Sequence, residues 1–231
     1  MKPFRILLFT LLCFQSTGHA QQSGMDVLKR MHEQFAKGPC QCYTFSQKNT
    51  HYRNDSVVGT SEWHETVVFP DIFKIEFGDK KQGNYMLFRN DSAYRFKMGV
   101  FQNARRDSNS LLLILGGMYY RDFKDVTIRL KKAGFDFESL SQQTWGQYKA
   151  YVIGAKSNDL KSNQIWIDKQ SLKVLRIIET MGNGDTMDMR FEAHQAWCKG
   201  FVETKVSFRR NGKLEQVEEY YNLQESKTFP Q

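Results

Sequence analysis

Beyond residue 20 the chain has no apolar run approaching the roughly 18 residues that span a membrane as a helix. Its longest candidate, Leu111-Leu112-Leu113-Ile114-Leu115, lies between Ser110 and Gly116-Gly117, so it is expected as a core element or a lid. Cysteine is scarce too, with four in 231 residues. The Cys40 and Cys42 pair has no second cluster and no adjacent histidine, which argues against a redox or metal site and for a staple. His32, His51, His64 and His194 lack metal-ligand spacing: His64-Glu65 has no second histidine four residues from the first. These histidines are expected on the surface. No Gly-x-Ser-x-Gly elbow, phosphate loop or dinucleotide fingerprint occurs, so no catalytic residue, metal or cofactor is assigned and no enzyme is expected. A basic stripe or base-stacking motif is also missing, which removes nucleic acid from the expected partners.

What is present begins with Met1-Lys2-Pro3-Phe4-Arg5, an apolar stretch from Ile6 to Phe14, and Ser16-Thr17-Gly18-His19-Ala20. These are the basic, apolar and small-residue regions of a secretory signal peptide, with cleavage expected after Ala20. Residues 1–20 are thus read as a leader and 21–231 as a single soluble domain. Leu12 stands where a lipoprotein signal needs a small residue before Cys13, so Cys13 is expected to leave with the leader. Cys40, Cys42 and Cys198 remain in a compartment where disulfides persist, which predicts one bond, Cys198 with Cys40 or Cys42. Losing Lys2 and Arg5 lowers the formal charge from +8 to +6, an excess suited to weak attraction toward anionic surfaces or to ordinary solubility.

Ser23 with Asp26 three residues on predicts a helix cap, and Leu28, Met31 and Phe35 follow at helical spacing until Gly38-Pro39. Alternation then predicts strands around Tyr43 and Phe45, Trp63 to Phe69, Phe73 to Phe77, Asn84 to Phe88 and Ala93 to Lys97. Pro70-Asp71, Asn54-Asp55-Ser56 and Asn90-Asp91-Ser92 have turn composition. Gln102 to Ser110 reads as a polar loop; the 111–115 helix and a second with Phe123, Val126 and Leu130 precede a stop at Gly134. Both are suited to cap the concave side of a sheet. Strands resume at Tyr148 to Ala155 and Met187 to His194, with Gly182-Asn183-Gly184-Asp185 as a turn, and Asn211-Gly212 joins the last two.

The segment from Gln164 to Glu179 is an expected hairpin in which Ile165 and Ile167 oppose Trp166, while Leu172, Val174 and Ile178 oppose Leu175 and Ile177. Both its faces are apolar and both need cover, from helices, a second sheet or a cavity holding something greasy. The expected class is mainly β with α (α+β): a large curved antiparallel sheet of about ten or eleven strands with helices on one side.

Several segments in this order resemble the LolA-like family of outer-membrane lipoprotein carriers. They are Phe69-Pro70-Asp71-Ile72-Phe73-Lys74-Ile75, Arg89-Asn90-Asp91-Ser92-Ala93-Tyr94-Arg95-Phe96, Gln164-Ile165-Trp166-Ile167-Asp168, and Val206-x-Phe208-x-x-Asn211-Gly212-Lys213 with a terminal Phe229-Pro230. The resemblance implies an unclosed antiparallel barrel around a greasy cavity, with helices as a lid. It also implies a monomeric periplasmic carrier of lipid acyl chains or lipidated proteins, served by inner- and outer-membrane partner proteins. Eighteen Phe and nine Met suit an adaptable lining. One position departs: sorting carriers place an arginine before the proline to hold the lid, and Phe69 stands here.

The expected lid or cavity residues are Leu111, Leu112, Leu113, Ile114 and Leu115, with Trp63, Tyr85, Phe96, Trp166 and Met189 as lining candidates. For each, plain packing is the competing reading. A rival function of a different class is a lipid- or peptide-sensing regulatory domain of the same fold acting through a membrane protein.

Overall fold

The computed structural model describes residues 22–36 and 40–226. The leader with Cys13, the Gly38-Pro39 stop and the terminal Phe229-Pro230 lie outside the described residues. Helix α1 (Gly24–Phe35) begins on a capping box: Asp26 N donates to Ser23 Oγ at 3.2 Å, and Ser23 N donates to the Asp26 carboxylate at 2.9 Å. It buries Val27, Leu28, Met31 and Phe35 along one stripe.

Strands β1 (Cys42–Arg53), β2 (Ser56–Val68), β3 (Ile72–Phe77), β4 (Tyr85–Arg89), β5 (Ser92–Lys97) and β6 (Val100–Arg106) form a meander of neighbours. Helices α2 (Ser110–Leu115) and α3 (Phe123–Lys132) follow, separated by a 3-10 turn at Gly117–Tyr120. The chain then adds β7 (Leu140–Trp145), β8 (Tyr148–Ile153), β9 (Gln164–Asp168), β10 (Val174–Thr180) and β11 (Thr186–Glu192). After a small hairpin of β12 (Gln195–Trp197) and β13 (Gly200–Val202), β14 (Lys205–Arg210) and β15 (Lys213–Glu225) complete it.

Thirteen strands make one antiparallel sheet in the order β6-β5-β4-β3-β2-β1-β15-β14-β11-β10-β9-β8-β7. The first and last strands pair with each other, and the unpaired edges are β6 and β7. The barrel is therefore unclosed, and the chain between its two free edges is the helical segment carrying α2 and α3. The sheet exceeds the expected ten or eleven strands because β6, whose Gln102 to Arg106 were expected as loop, and β7 were not among the expected strands. All seven residues of β6 are exposed, so an edge strand wetted on both faces leaves no alternation to detect.

The main core packs α1, α2 and α3 against β8 to β11, through Leu28, Met31, Ile114, Leu130, Ile153, Ile165, Ile167 and Ile177. The β9–β10 hairpin is buried on both faces, as its composition demanded. Its far face is covered by side chains rather than a second layer: Trp166 and Leu175 pack with Ala150 and Val152 under Trp145 and Tyr148. Arg176 joins this cover, donating to both oxygens of Asp188 at 2.6 and 2.8 Å while lying over the Trp145 and Trp166 rings. One expectation is corrected here. Val174 and Ile177 share the helix side instead of opposing each other, because a register shift between Val174 and Arg176 resets the alternation.

A disulfide joins Cys40 to Cys198, 158 residues apart with Cα atoms 5.6 Å from each other. It pins the start of β1 to the turn of the β12–β13 hairpin, and a bond closing so long a loop typically adds about 2–4 kcal/mol. Cys42 is buried on β1 outside this bond.

Candidate functional site

Where β1 to β4 meet β15, β14 and β11, the inward face of the sheet is not filled. Alternation brings Tyr43 and Phe45 of β1 beside Trp63, Glu65 and Val67 of β2, with Phe45 directly opposite Glu65 and Tyr43 opposite Val67. Val67 faces Phe73 of β3, and Phe73 faces Phe88 of β4. From the other direction come Glu218 and Tyr220 of β15, Val206 and Phe208 of β14 and Phe191 of β11. Leu111, Leu112 and Leu115 of α2 form the roof. The cavity, roofed but partly open, measures about 370 Å³, within the roughly 300–1,000 Å³ range of small-molecule sites.

The roof is fixed at both ends. Asn109 caps α2 by accepting from Leu112 N at 3.0 Å. At the far end Phe69 packs onto Gly116 so closely that a Cβ there would collide with its ring, and Phe69 also stacks on Tyr120 at 5.9 Å between centroids. Beyond it, Arg121 pairs with Asp71 and with Asp125 at 2.9 Å, and Arg129 pairs with Asp125 at 2.9 Å and Asp91 at 2.7 Å. Burial works against the Asp125 charge, but Arg129 and Arg121 hold its carboxyl below the usual range. The turns at Pro70-Asp71 and Asn90-Asp91 are thus the sheet's anchorage for the helical segment. Phe69 contacts the helical segment through its ring, and the arginine paired with Asp71 comes from that segment as Arg121.

The cavity's charged groups are acidic. Among the described residues its lining holds Glu65, Asp107, Glu179, Glu203 and Glu218, and no lysine, arginine or histidine. Burial pushes Glu218 up to about 7, although Tyr220 Oη and Gln216 Nε2 donate to it at 2.6 and 2.7 Å. Glu203 keeps some accessible surface, but that surface opens into cavities, and burial with the nearby Glu218 charge raises it to about 7. Glu65, 5 % exposed, is raised well above the carboxylate range by burial and by Glu218. Glu179 is raised by burial and Asp107 despite a hydrogen bond from Ser110 Oγ at 2.5 Å. Burial and these carboxylates also raise the Tyr43 and Tyr220 hydroxyls.

Of the residues expected from sequence, Leu111, Leu112, Leu115 and Trp63 line the cavity. Leu113 and Ile114 face away from it into the packed core, 8 % and 1 % exposed, and Met189 is core as well. Tyr85 and Phe96 stack on each other at 4.4 Å on the opposite face, where Tyr85 pairs with Glu76 and meets Lys74. Trp166 lies on that outer face too, its indole donating to Gln164 at 2.7 Å. The reason is strand phase: odd positions of β3 and even positions of β4 point inward, which only pairing register decides. The four histidines are half-buried rather than superficial: His32 and His194 contact the carbonyls of Arg121 and Val174 at 3.0 and 2.8 Å, His64 and His51 the hydroxyls of Ser46 and Ser61. The glutamates are what sequence reasoning missed. Glu65 had a signal, a charge in phase with Trp63 and Val67 on one strand face, whereas Glu218 sits in a run of polar residues with none.

Fold and site together define an open antiparallel barrel with a roofed apolar chamber. No family model matches the chain, and no curated protein sequence matches it. Solved structures do match. A DUF1329 family protein from Desulfovibrio piger superposes with a TM-score of 0.61 at 15% identity, over 90% of this chain and 93% of that one. A LolA superfamily protein from Nitrosomonas europaea gives 0.60 at 10% identity over 90% and 96%. A domain described as outer-membrane lipoprotein-sorting from Vibrio parahaemolyticus gives 0.62 at 9% identity over 90% and 94%. The fold is LolA-like.

Proposed function

We propose that this chain is a soluble periplasmic carrier that holds acyl chains of a lipoprotein or lipid in the roofed chamber for transfer toward the outer membrane, with no catalysis of its own. The observation that carries this reading is the 370 Å³ cavity lined by aromatic and aliphatic side chains beneath α2. Burial of a hydrocarbon chain there is favoured at about 25 cal/mol per Å² of apolar surface removed from water. Among the described residues no helix is long and apolar enough to cross a membrane, in keeping with a carrier that moves between membranes. Lid opening would release the guest by changing its affinity, with an inner-membrane donor and an outer-membrane acceptor favouring different lid states.

Native mass spectrometry of protein purified from periplasm without detergent tests this. Lipid bound at a fixed ratio and released intact by solvent supports the carrier. A lipid-free protein that also fails to bind a fluorescent acyl probe overturns it.

A further inference from the structure

We propose that the guest of this chamber carries a protonated amine beside its hydrocarbon chain, and that Glu65, Glu203 and Glu218 receive that ammonium group. The inference rests on the carrier reading and adds the chemistry of the cargo's polar end.

Glu65 is the starting point. It lies on the inward face of β2 between Trp63 and Val67, lines the cavity, and is 5 % exposed. Among the described residues its carboxylate accepts no hydrogen bond and meets no cation. An unpartnered carboxylate in an apolar chamber opposes folding, and an alanine or valine would serve hydrocarbon binding better. Its neighbours deepen the imbalance. Glu218 is served by Tyr220 and Gln216, with Gln47 also interacting with it, but Gln47 itself has a buried carboxamide oxygen with no donor. Glu203 adds a third carboxylate that interacts electrostatically with Glu218.

The asymmetry is sharp for a chain with formal charge +8: among the described residues its cavity gathers five carboxylates and no basic side chain. Empty, the chamber favours the protonated acids; once ionised they have acceptors in excess of donors, and the partner that would hold them in that state is a cation that donates hydrogen bonds. Among the described residues no three cavity carboxylates bring oxygens within 4.8 Å of one another, a spacing too loose to chelate a metal ion. An ammonium group needs only one carboxylate within hydrogen-bond reach, and the charge of the other acidic groups lining the same cavity adds to its attraction. The rings of Tyr43, Phe45, Trp63 and Tyr220 around the carboxylates offer the faces that cations favour.

The test is calorimetric titration of the purified chain near pH 7.5 with dodecylammonium, dodecanol and dodecanoate, each kept below its aggregation limit. The amine is expected to bind at least about tenfold more tightly than the alcohol, and the carboxylate most weakly. Glu65→Gln combined with Glu218→Gln is expected to bring the amine-to-alcohol affinity ratio near one, while Glu192→Gln, exposed and outside the cavity, leaves it unchanged. Equal binding of amine and alcohol by the unaltered protein overturns this inference and spares the carrier reading. Failure of all three ligands to bind overturns both. A ratio unchanged in the double variant overturns the assignment to these glutamates.

Discussion

The two halves of the sheet carry the same alternation of apolar side chains and end in opposite conditions. On β8 to β11 the inward Ile153, Ile165, Ile167 and Ile177 are wholly buried. On β2 to β4 the inward Trp63, Phe73, Ile75 and Phe88 are only partly buried and face a void. The roof makes the difference. Helix α1 has 12 residues and is about 18 Å long, enough to cross about four strands at 4.8 Å spacing, whereas a six-residue helix reaches about 9 Å and crosses about two. α2 is that six-residue helix. An apolar stripe becomes core where its cover is long enough and a chamber where it falls short.

Matched truncations give the largest contrast. Ile165→Ala, in the filled half, is expected to lower unfolding stability by about 2–5 kcal/mol. Phe73→Ala, in the open half, should lose less than half as much in urea denaturation, since one side of its ring already lacks neighbours. Equal losses would break the comparison.

Acidity separates the halves next. The Glu218 carboxyl titrates at about 7 in the fold against 4.5 for an ordinary glutamate, so the folded state holds a proton that the unfolded chain has released. The stability this contributes is whole below about pH 4.5 and is lost as pH rises through about 7; it amounts to about 3 kcal/mol. Glu65 and Glu203 act with the same sign. Asp26, Asp136, Asp159 and Asp185, all outside the cavity, are held low and change only in more acid solution. Thermal unfolding of ligand-free protein should therefore fall from pH 5 to pH 8, and Glu218→Gln should flatten that slope. An unchanged slope would mean that the chamber is wet.

Binding can be separated from folding on the roof itself. Leu112→Asn should weaken an acyl probe about tenfold, about 1.4 kcal/mol, with near-normal stability, as Leu112 is only partly buried and lines the cavity. Leu113→Asp would place a charge in packed core and lose fold and binding together. The smallest effect is expected at the latch: Asp71→Asn removes one carboxylate from Arg121 and should cost about 0.5–1 kcal/mol. Stopped-flow release of the probe should quicken about two- to threefold, sharpening the view that the short roof is held by its anchors.

Much of the local structure was legible. The Ser23 and Asp26 cap, the turns at Asn54-Asp55, Asn90-Asp91 and Asn211-Gly212, and the Gly134 stop depend on short-range chemistry, and each lies where its residues required. The two-sided burial of the 164–179 hairpin was readable because it follows from composition alone. The lining was harder. Tyr85, Phe96 and Trp166 are as apolar as Trp63 and Phe73, yet they occupy the outer face, because a single residue of register moves a side chain through the sheet. Glu65, Glu203 and Glu218 come to one cavity from β2, the segment after β13 and β15, with Glu65 more than 130 residues from the other two, so no local pattern could mark them as a group.

By itself the amino-acid sequence determined the antiparallel strands, their turns, the capped helices and the need to cover an apolar sheet on both faces, since each follows from periodicity and backbone preference. Only the tertiary structure decided the remainder: the pairing of β1 with β15, the choice of Cys40 as partner of Cys198, and which faces point inward. It also decided that a short helix would roof acidic side chains into a greasy chamber. These depend on long-range register and on the reach of each helix, quantities set by packing between distant segments and not by any segment alone.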